Sequence, residues 1–260
     1  MPTPTFNVRD YNKYAWNRQV ENKNKFTIPV DPLTIVSARK GEFSVFLTET
    51  KPVPREWFPQ FPGLDILGLA CGGGQQGPIF AALGANVTIF DNSPLQLEQD
   101  RQVAIREGLK IHTIEGDMLD LSIFSDNTFD MIFHPVSNVF CPEVRPVWKE
   151  SFRVLRHGGH LLAGMANPVY YMFGTHADEQ DALKVKYAIP YSDLNNMEKG
   201  ELDICIEEGI PLEFGHSLTD LLAGQTDAGF VITGFYEDIC PDSPISKFHP
   251  AYLATNSVKI

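Results

Sequence analysis

Between Leu64 and Asp91 the chain reads LDILGLACGGGQQGPIFAALGANVTIFD, a glycine cluster followed by a carboxylate. Gly72, Gly73 and Gly74 let the backbone turn sharply and approach a ligand where a Cβ would collide. Asp91 stands nineteen residues after Gly72, at the end of an apolar run. A carboxylate in that place accepts hydrogen bonds from ribose hydroxyls. Together the two features predict a nucleoside-containing ligand. Gly72-x-Gly74-x-x-Gly77 with the same acid also fits the dinucleotide fingerprint, so an NAD(P)-dependent oxidoreductase is one reading. A non-catalytic nucleoside-binding module is another. Pro78 counts against the dinucleotide, because it removes a backbone N–H near the helix start that a pyrophosphate would use.

Other residues carry chemistry further along. His134 ends a later apolar run, and a neutral imidazole there can take a proton from an oxygen or nitrogen acceptor. Ser137 and Asn138 can orient a substrate. Tyr14, Trp16, Tyr170 and Tyr171 can wall an acceptor pocket and attract a cation through their π faces. Core packing is the competing explanation for each of these rings. His112, His157 and His160 show no ligand spacing, so no metal is expected. Cys71, Cys141, Cys205 and Cys240 form no CxxC pair and read as reduced cytosolic thiols.

The elements that must position these residues follow a strand–helix rhythm. Ile66, Leu67 and Leu69 form a short buried strand, Asn86 to Phe90 a second, Ile111 to Glu115 a third and Phe129 to Phe133 a fourth. Ser93-Pro94 caps a helix running to about Glu107, with Gln96 at the capping-box position. Pro142 to Leu155 suits a helix closed by Gly158-Gly159, and His160 to Met165 is a fifth strand. Ser217 to Ala228 reads as helix, with strands at Phe230 to Tyr236 and Ala251 to Val258. Such alternation implies right-handed crossovers and a parallel sheet. Two stretches break the rhythm. Residues 1–60 hold helices near Asp10–Glu21 and after Asp31-Pro32, then a proline-rich connector. Residues 167–215 intervene after the fifth strand, on the face where such sheets bind ligands.

A chain of 260 residues carrying a net charge of −12 fits one α/β domain with additions and gives no large surface for tracking phosphates. Nucleic acid is therefore not the expected partner. No apolar run is long enough to span a membrane, and the start of the chain lacks a secretory apolar core, which points to the cytoplasm.

Five pieces in order resemble the class I S-adenosylmethionine-dependent methyltransferases, in particular the bacterial branch with a generic methyltransferase domain. ILGLACGGG (66–74) resembles the first motif and TIFDNSP (88–94) the second, with Asp91 as the ribose acid. EGDMLDL (115–121) resembles the third, where Asp117 and Met118 would flank adenine. NTFDMIFH (127–134) and SFRVLRHGGHLL (151–162) resemble the fourth strand and the helix–turn–strand that follow. The resemblance covers about residues 60–166 and, loosely, the last forty.

It implies S-adenosyl-L-methionine as cofactor, held by Ala70, Cys71, Gly72, Gly73, Gly74, Gln75, Gln76, Asp91, Asn92, Asp117, Met118 and His134. It also implies a small-molecule acceptor, with His134 as the catalytic base. The implied fold is a doubly wound, Rossmann-like α/β sheet of seven mostly parallel strands in the order 3-2-1-4-5-7-6. The antiparallel seventh strand would come from Ala251 to Val258. The expected division is an amino-terminal arm or lid (1–60), a core (61–166 and 216–260) and a substrate-side insertion (167–215). Two positions depart from the family pattern. Gly68 stands where an acid is usual and Ala70 where a glycine is usual, and Gln75 and Gln76 are candidates to replace the lost polar contact.

Overall fold

Local signals set most of the elements. The computed structural model describes residues 6–173 and 183–260, so the start of the arm and residues 174–182 of the insertion lie outside the described residues. α1 (Val8–Glu21) begins where Asn7 accepts the N–H of Asp10, and α2 (Pro32–Ala38) where Asp31 accepts that of Thr34 at 2.8 Å. The core then runs β1 (Asp65–Leu69), α3 (Gln76–Ala82), β2 (Asn86–Asp91), α4 (Pro94–Glu107), β3 (Ile111–Glu115) and β4 (Phe129–His134). Ser93 caps α4 through the N–H of Gln96 at 3.1 Å, and Gly108 ends it in the left-handed region.

α5 (Arg145–Val154) leads directly into β5 (Leu155–Ala166). The strand starts five residues earlier than the sequence reading, which placed helix to Leu155 and strand from His160. Phe129 pairs with Leu155 and Met131 with His160, so the residues between bulge out of the ladder. Arg156, at the start of β5, holds this bulge through ion pairs to Asp65 at 2.9 Å and Asp130 at 2.8 Å.

The intervening segment holds β6 (Tyr191–Ser192), α6 (Asp193–Asn196), α7 (Lys199–Glu208) and β7 (Phe214–Gly215), with β6 and β7 paired antiparallel. The helix expected over 217–228 is a wide-turned stretch at Thr219–Ala223 followed by α8 (Gly224–Ala228). The indole N–H of Trp148 donates to the Asp220 carbonyl at 3.0 Å, engaging a backbone acceptor inside the widened turns. β8 (Phe230–Asp238) and β9 (Tyr252–Lys259) complete the main sheet.

The seven strands lie in the order β3-β2-β1-β4-β5-β9-β8, all parallel except β9, which runs antiparallel to both neighbours. This is the expected Rossmann-like order, with β8 and β9 as sixth and seventh strands. Ile66, Ile89, Met131 and Phe133 pack on one face with Phe80, while Leu67, Leu69, Ile132 and Leu161 pack on the other with Trp148. Each of these side chains stabilises the sheet by roughly 1.5–3 kcal/mol through burial.

The arm and the insertion are joined to each other. Asn12 donates to the carbonyls of Phe140 and Leu212, both at 3.0 Å, and accepts the N–H of Leu212 at 2.8 Å. Tyr11 donates to the carbonyls of Cys205 at 3.0 Å and Ile210 at 2.8 Å. Among the described residues no helix is long and apolar enough to cross a membrane.

Candidate functional site

A cavity of about 1360 Å³ opens over the carboxyl ends of β1, β2 and β4 and extends under the arm and the insertion. Single-ligand pockets run to ~300–1,000 Å³, so this one has room for a nucleoside-sized molecule and a second one.

The loop after β1 forms its floor. Ala70 adopts a φ of +46°, a left-handed conformation that costs an L-residue roughly 1–2 kcal/mol. That turn carries Cys71 and Gly72 into the cavity wall. A Cβ on Gly72 would lie 2.8 Å from the Gln96 Cβ and 3.1 Å from an Asp91 oxygen, so only glycine fits. Asp91 accepts the N–H of Gly72 at 2.9 Å and that of Ser93 at 2.8 Å. Burial pushes its carboxyl above the ordinary range, against the pull of these backbone donors. Each oxygen keeps lone-pair capacity for a ribose hydroxyl.

Gly73 and Gly74 do not line the cavity. The N–H of Gly73 turns inward to Asp100 at 3.0 Å, and the carbonyl of Gly74 accepts Val30 of the arm at 2.9 Å. Asp100 is fully buried, and desolvation pushes its carboxyl up to about 7. The sequence reading missed this residue. Its signal was present: Leu97, Asp100, Val103 and Ala104 share the buried stripe of α4, where an acid has no reason to stand without a partner.

At Gly68, where an acid is usual, a Cβ would lie 2.5 Å from the Ile89 Cδ1, so a side chain there requires that methyl to move. Of the acid's candidate substitutes, Gln75 donates to the Ile28 carbonyl at 3.1 Å and so tethers the arm. Gln76 accepts the Cys71 thiol at 3.5 Å. Both border the cavity.

At the β2–β3 end, Asn92, Asp117 and Met118 line the cavity beneath α1. Asn92 donates to the Arg9 carbonyl at 2.9 Å, and the Arg9 guanidinium lies 3.6 Å from Asp117. Lys13 pairs with Glu115 beside them. Arg9 and Asn12, both bordering the cavity, were not anticipated because their partners lie far away in the chain.

The acceptor-side residues divide. Trp16, Ser137, Tyr170 and Tyr171 line the cavity. Tyr14 does not. It is half exposed on the outer face of α1, with Arg18 over its ring. Asn138 is also removed from the acceptor wall: it is fully buried and its amide donates to the Gly164 carbonyl at 2.7 Å.

The reading of His134 as a base or cofactor contact is corrected in the same way. Its ring is fully buried outside the cavity wall, with Nδ1 2.9 Å from the Leu69 carbonyl and Trp148 edge-on at 6.0 Å. Desolvation lowers its pKa to about 4, so it stays neutral as a brace beneath β1.

Residues 67–163 match a family described as a methyltransferase domain. Over 250 residues the chain is 49% identical to the uncharacterized methyltransferase YbaJ of Bacillus subtilis, covering 96% of this chain and 98% of that one. It is 28% identical over 186 residues to the sterol 24-C-methyltransferase ERG6A of Gibberella zeae, covering 70% of this chain and 43% of that longer one. In fold it is similar to an S-adenosylmethionine-dependent methyltransferase from Mesorhizobium loti, with a TM-score of 0.60 and 20% identity over 78% of this chain and 94% of that one. The likeness to YbaJ runs nearly end to end and sets aside the dinucleotide reading, and with the seven-strand order and the Asp91–Gly72 cradle it leads to one conclusion: the chain belongs to the class I S-adenosylmethionine-dependent methyltransferases.

Proposed function

We propose that this methyltransferase acts on a small, largely apolar molecule enclosed between the arm (1–60) and the insertion (167–215). The observation that carries the reading is the cavity itself, which continues past the cofactor end to Val45, Leu47, Val139, Tyr170 and Tyr171. An acceptor held there is surrounded by the chain, an arrangement suited to a small molecule rather than a polymer. The net charge of −12 supports the same choice over a nucleic acid.

Asp91 binds the ribose hydroxyls, Asp117 and Met118 flank the adenine under Arg9, and Gln76 faces the methionine end. Ala70, Cys71 and Gly72 give the backbone contact, while Gly73, Gly74 and Asp100 keep the loop in shape from behind. Bound S-adenosylmethionine supplies a methyl group on a sulfonium. The chain's share is to hold the acceptor at attack distance and to exclude water, an effect worth up to ~7–11 kcal/mol. Asn12 and Tyr11 serve this by bonding the arm to the insertion over the cavity. Four cysteines without a disulfide support a reducing, cytoplasmic setting.

The test supplies methyl-labelled S-adenosylmethionine with a deproteinised metabolite extract and, in parallel, with protein and nucleic-acid fractions. Label in a product of low mass is expected. Label confined to a macromolecular fraction overturns the reading.

A further inference from the structure

Tyr170 and Tyr171 follow the carboxyl end of β5, three strands from β2 and Asp91 in the sheet, roughly 14 Å at ~4.8 Å per strand. At this end of the cavity stands Glu213, just after Leu212, which Asn12 clamps. Its N–H donates to Asp193 at 2.7 Å, which fixes the backbone, and its Oε2 accepts the Tyr171 hydroxyl at 2.8 Å. Its Oε1 has no hydrogen bond among the described residues. The groups acting on the carboxylate are Tyr171 and Asp193, with Tyr170 and Cys205 also facing it; none is a cation. Glu49, a neighbouring acid on the cavity wall, is by contrast matched by Lys25 at 2.7 Å.

A half-buried carboxylate on the cavity wall, with no cationic partner among the described residues and bordered by aromatic rings, is complementary to an ammonium group. The rest of this lobe, Val45, Leu47, Val136 and Val139, is complementary to hydrocarbon. We infer that Glu213 and the Tyr170–Tyr171 pair form the head-group site for an apolar primary or secondary amine, and that Glu213 accepts the proton that amine must lose.

The inference rests on the small-molecule reading above and names the acceptor's chemical class. The ammonium nitrogen gives its proton to Oε1 of Glu213, leaving a neutral amine beside a carboxylic acid. The freed nitrogen lone pair forms the bond to the methyl carbon, and the electrons of the broken carbon–sulfur bond stay with sulfur. Glu213 returns its proton to water when the methylated amine leaves. Burial supports this exchange by raising the carboxyl to about 7, closer to an amine than an ordinary glutamate stands. An alcohol would gain neither the ion pair nor the cation–π contact.

The test compares octylamine with octanol as probes, by calorimetry on the full-length protein loaded with S-adenosylhomocysteine. Octylamine is expected to bind at pH 8 at least tenfold more tightly than octanol, and to weaken as the pH falls below 7 and Glu213 takes up a proton. Glu213→Gln should weaken octylamine at least tenfold while leaving octanol and S-adenosylhomocysteine unchanged. Tyr171→Phe should weaken the amine less. The inference is overturned if octylamine does not bind, if octanol binds equally well, or if Glu213→Gln leaves amine binding intact. These results are separate from the extract experiment, where a macromolecular product would remove the underlying reading.

Discussion

The carboxylate of Asp91 accepts the N–H of Gly72 at 2.9 Å, so the acid ending β2 fixes the loop that follows β1. One side chain thus shapes the cradle and, in the function proposed above, offers acceptors to the ribose. Asp91→Ala removes both roles. A hydrogen bond to a charged group is worth ~1.5–3 kcal/mol, which predicts a loss of about 10- to 150-fold in S-adenosylhomocysteine affinity by calorimetry. Asp91→Asn keeps one acceptor oxygen and should fall between.

Asp100 secures the same loop from behind, with its carboxyl raised to about 7. An acid whose folded pKa lies above its unfolded one loses stabilisation as pH rises from about 4 to about 7. Asp100→Asn should therefore gain stability relative to the native protein at pH 8 compared with pH 5. Asp100→Ala leaves the Gly73 N–H to the Gln96 carbonyl alone, at 3.1 Å, and should lose about 0.5–1.5 kcal/mol at pH 5. Urea unfolding at the two pH values checks this.

Ala70 occupies the left-handed region where glycine is free of strain. Ala70→Gly relieves roughly 1–2 kcal/mol of strain and gives back ~0.5–1 kcal/mol in backbone entropy, so a net gain of about 0.5–1 kcal/mol is expected. Gly72→Ala pushes a Cβ against Gln96 and Asp91 and should weaken the cofactor instead. Thermal unfolding and calorimetry separate the two outcomes.

His134 is neutral, with its pKa lowered to about 4 by burial. An unfolded histidine takes up a proton near 6.5. The stability that comes from keeping this ring neutral is full above pH 6.5 and is lost as the pH falls toward 4. His134→Gln should flatten that acid limb in unfolding measurements. The pH profile of turnover should keep its shape, since the ring does not reach the cavity.

Asn12 bonds α1 to the insertion with two hydrogen bonds at Leu212 and to the Phe140 carbonyl with a third, and is 3% exposed. Asn12→Ala strands the N–H of Leu212 and two carbonyls, at a cost of about 1–3 kcal/mol. Hydrogen exchange should quicken around residues 205–215 while β1 and β4 stay protected.

The sequence by itself determined most of the main-sheet strands, and its resemblance to the family supplied their order and the expectation of a nucleoside end. β1, β2 and β4 are apolar runs bounded by turn residues, and the glycines and Asp91 are close enough in the chain for their spacing to carry geometry. Asp100 was legible too, as an acid on an apolar helical stripe. Tertiary structure alone decided the rest. His134 and Asn138 lie near the strand end that faces the ligand, yet packing turns their side chains into the interior, and no local pattern records that rotation. Glu213 meets Tyr171 across forty-two residues, and Asn12 meets Leu212 across two hundred. Contacts of that separation arise from how the insertion and the arm settle on the sheet. Neighbouring residues carry no periodic signal for them, because the energy that fixes them is shared among distant groups.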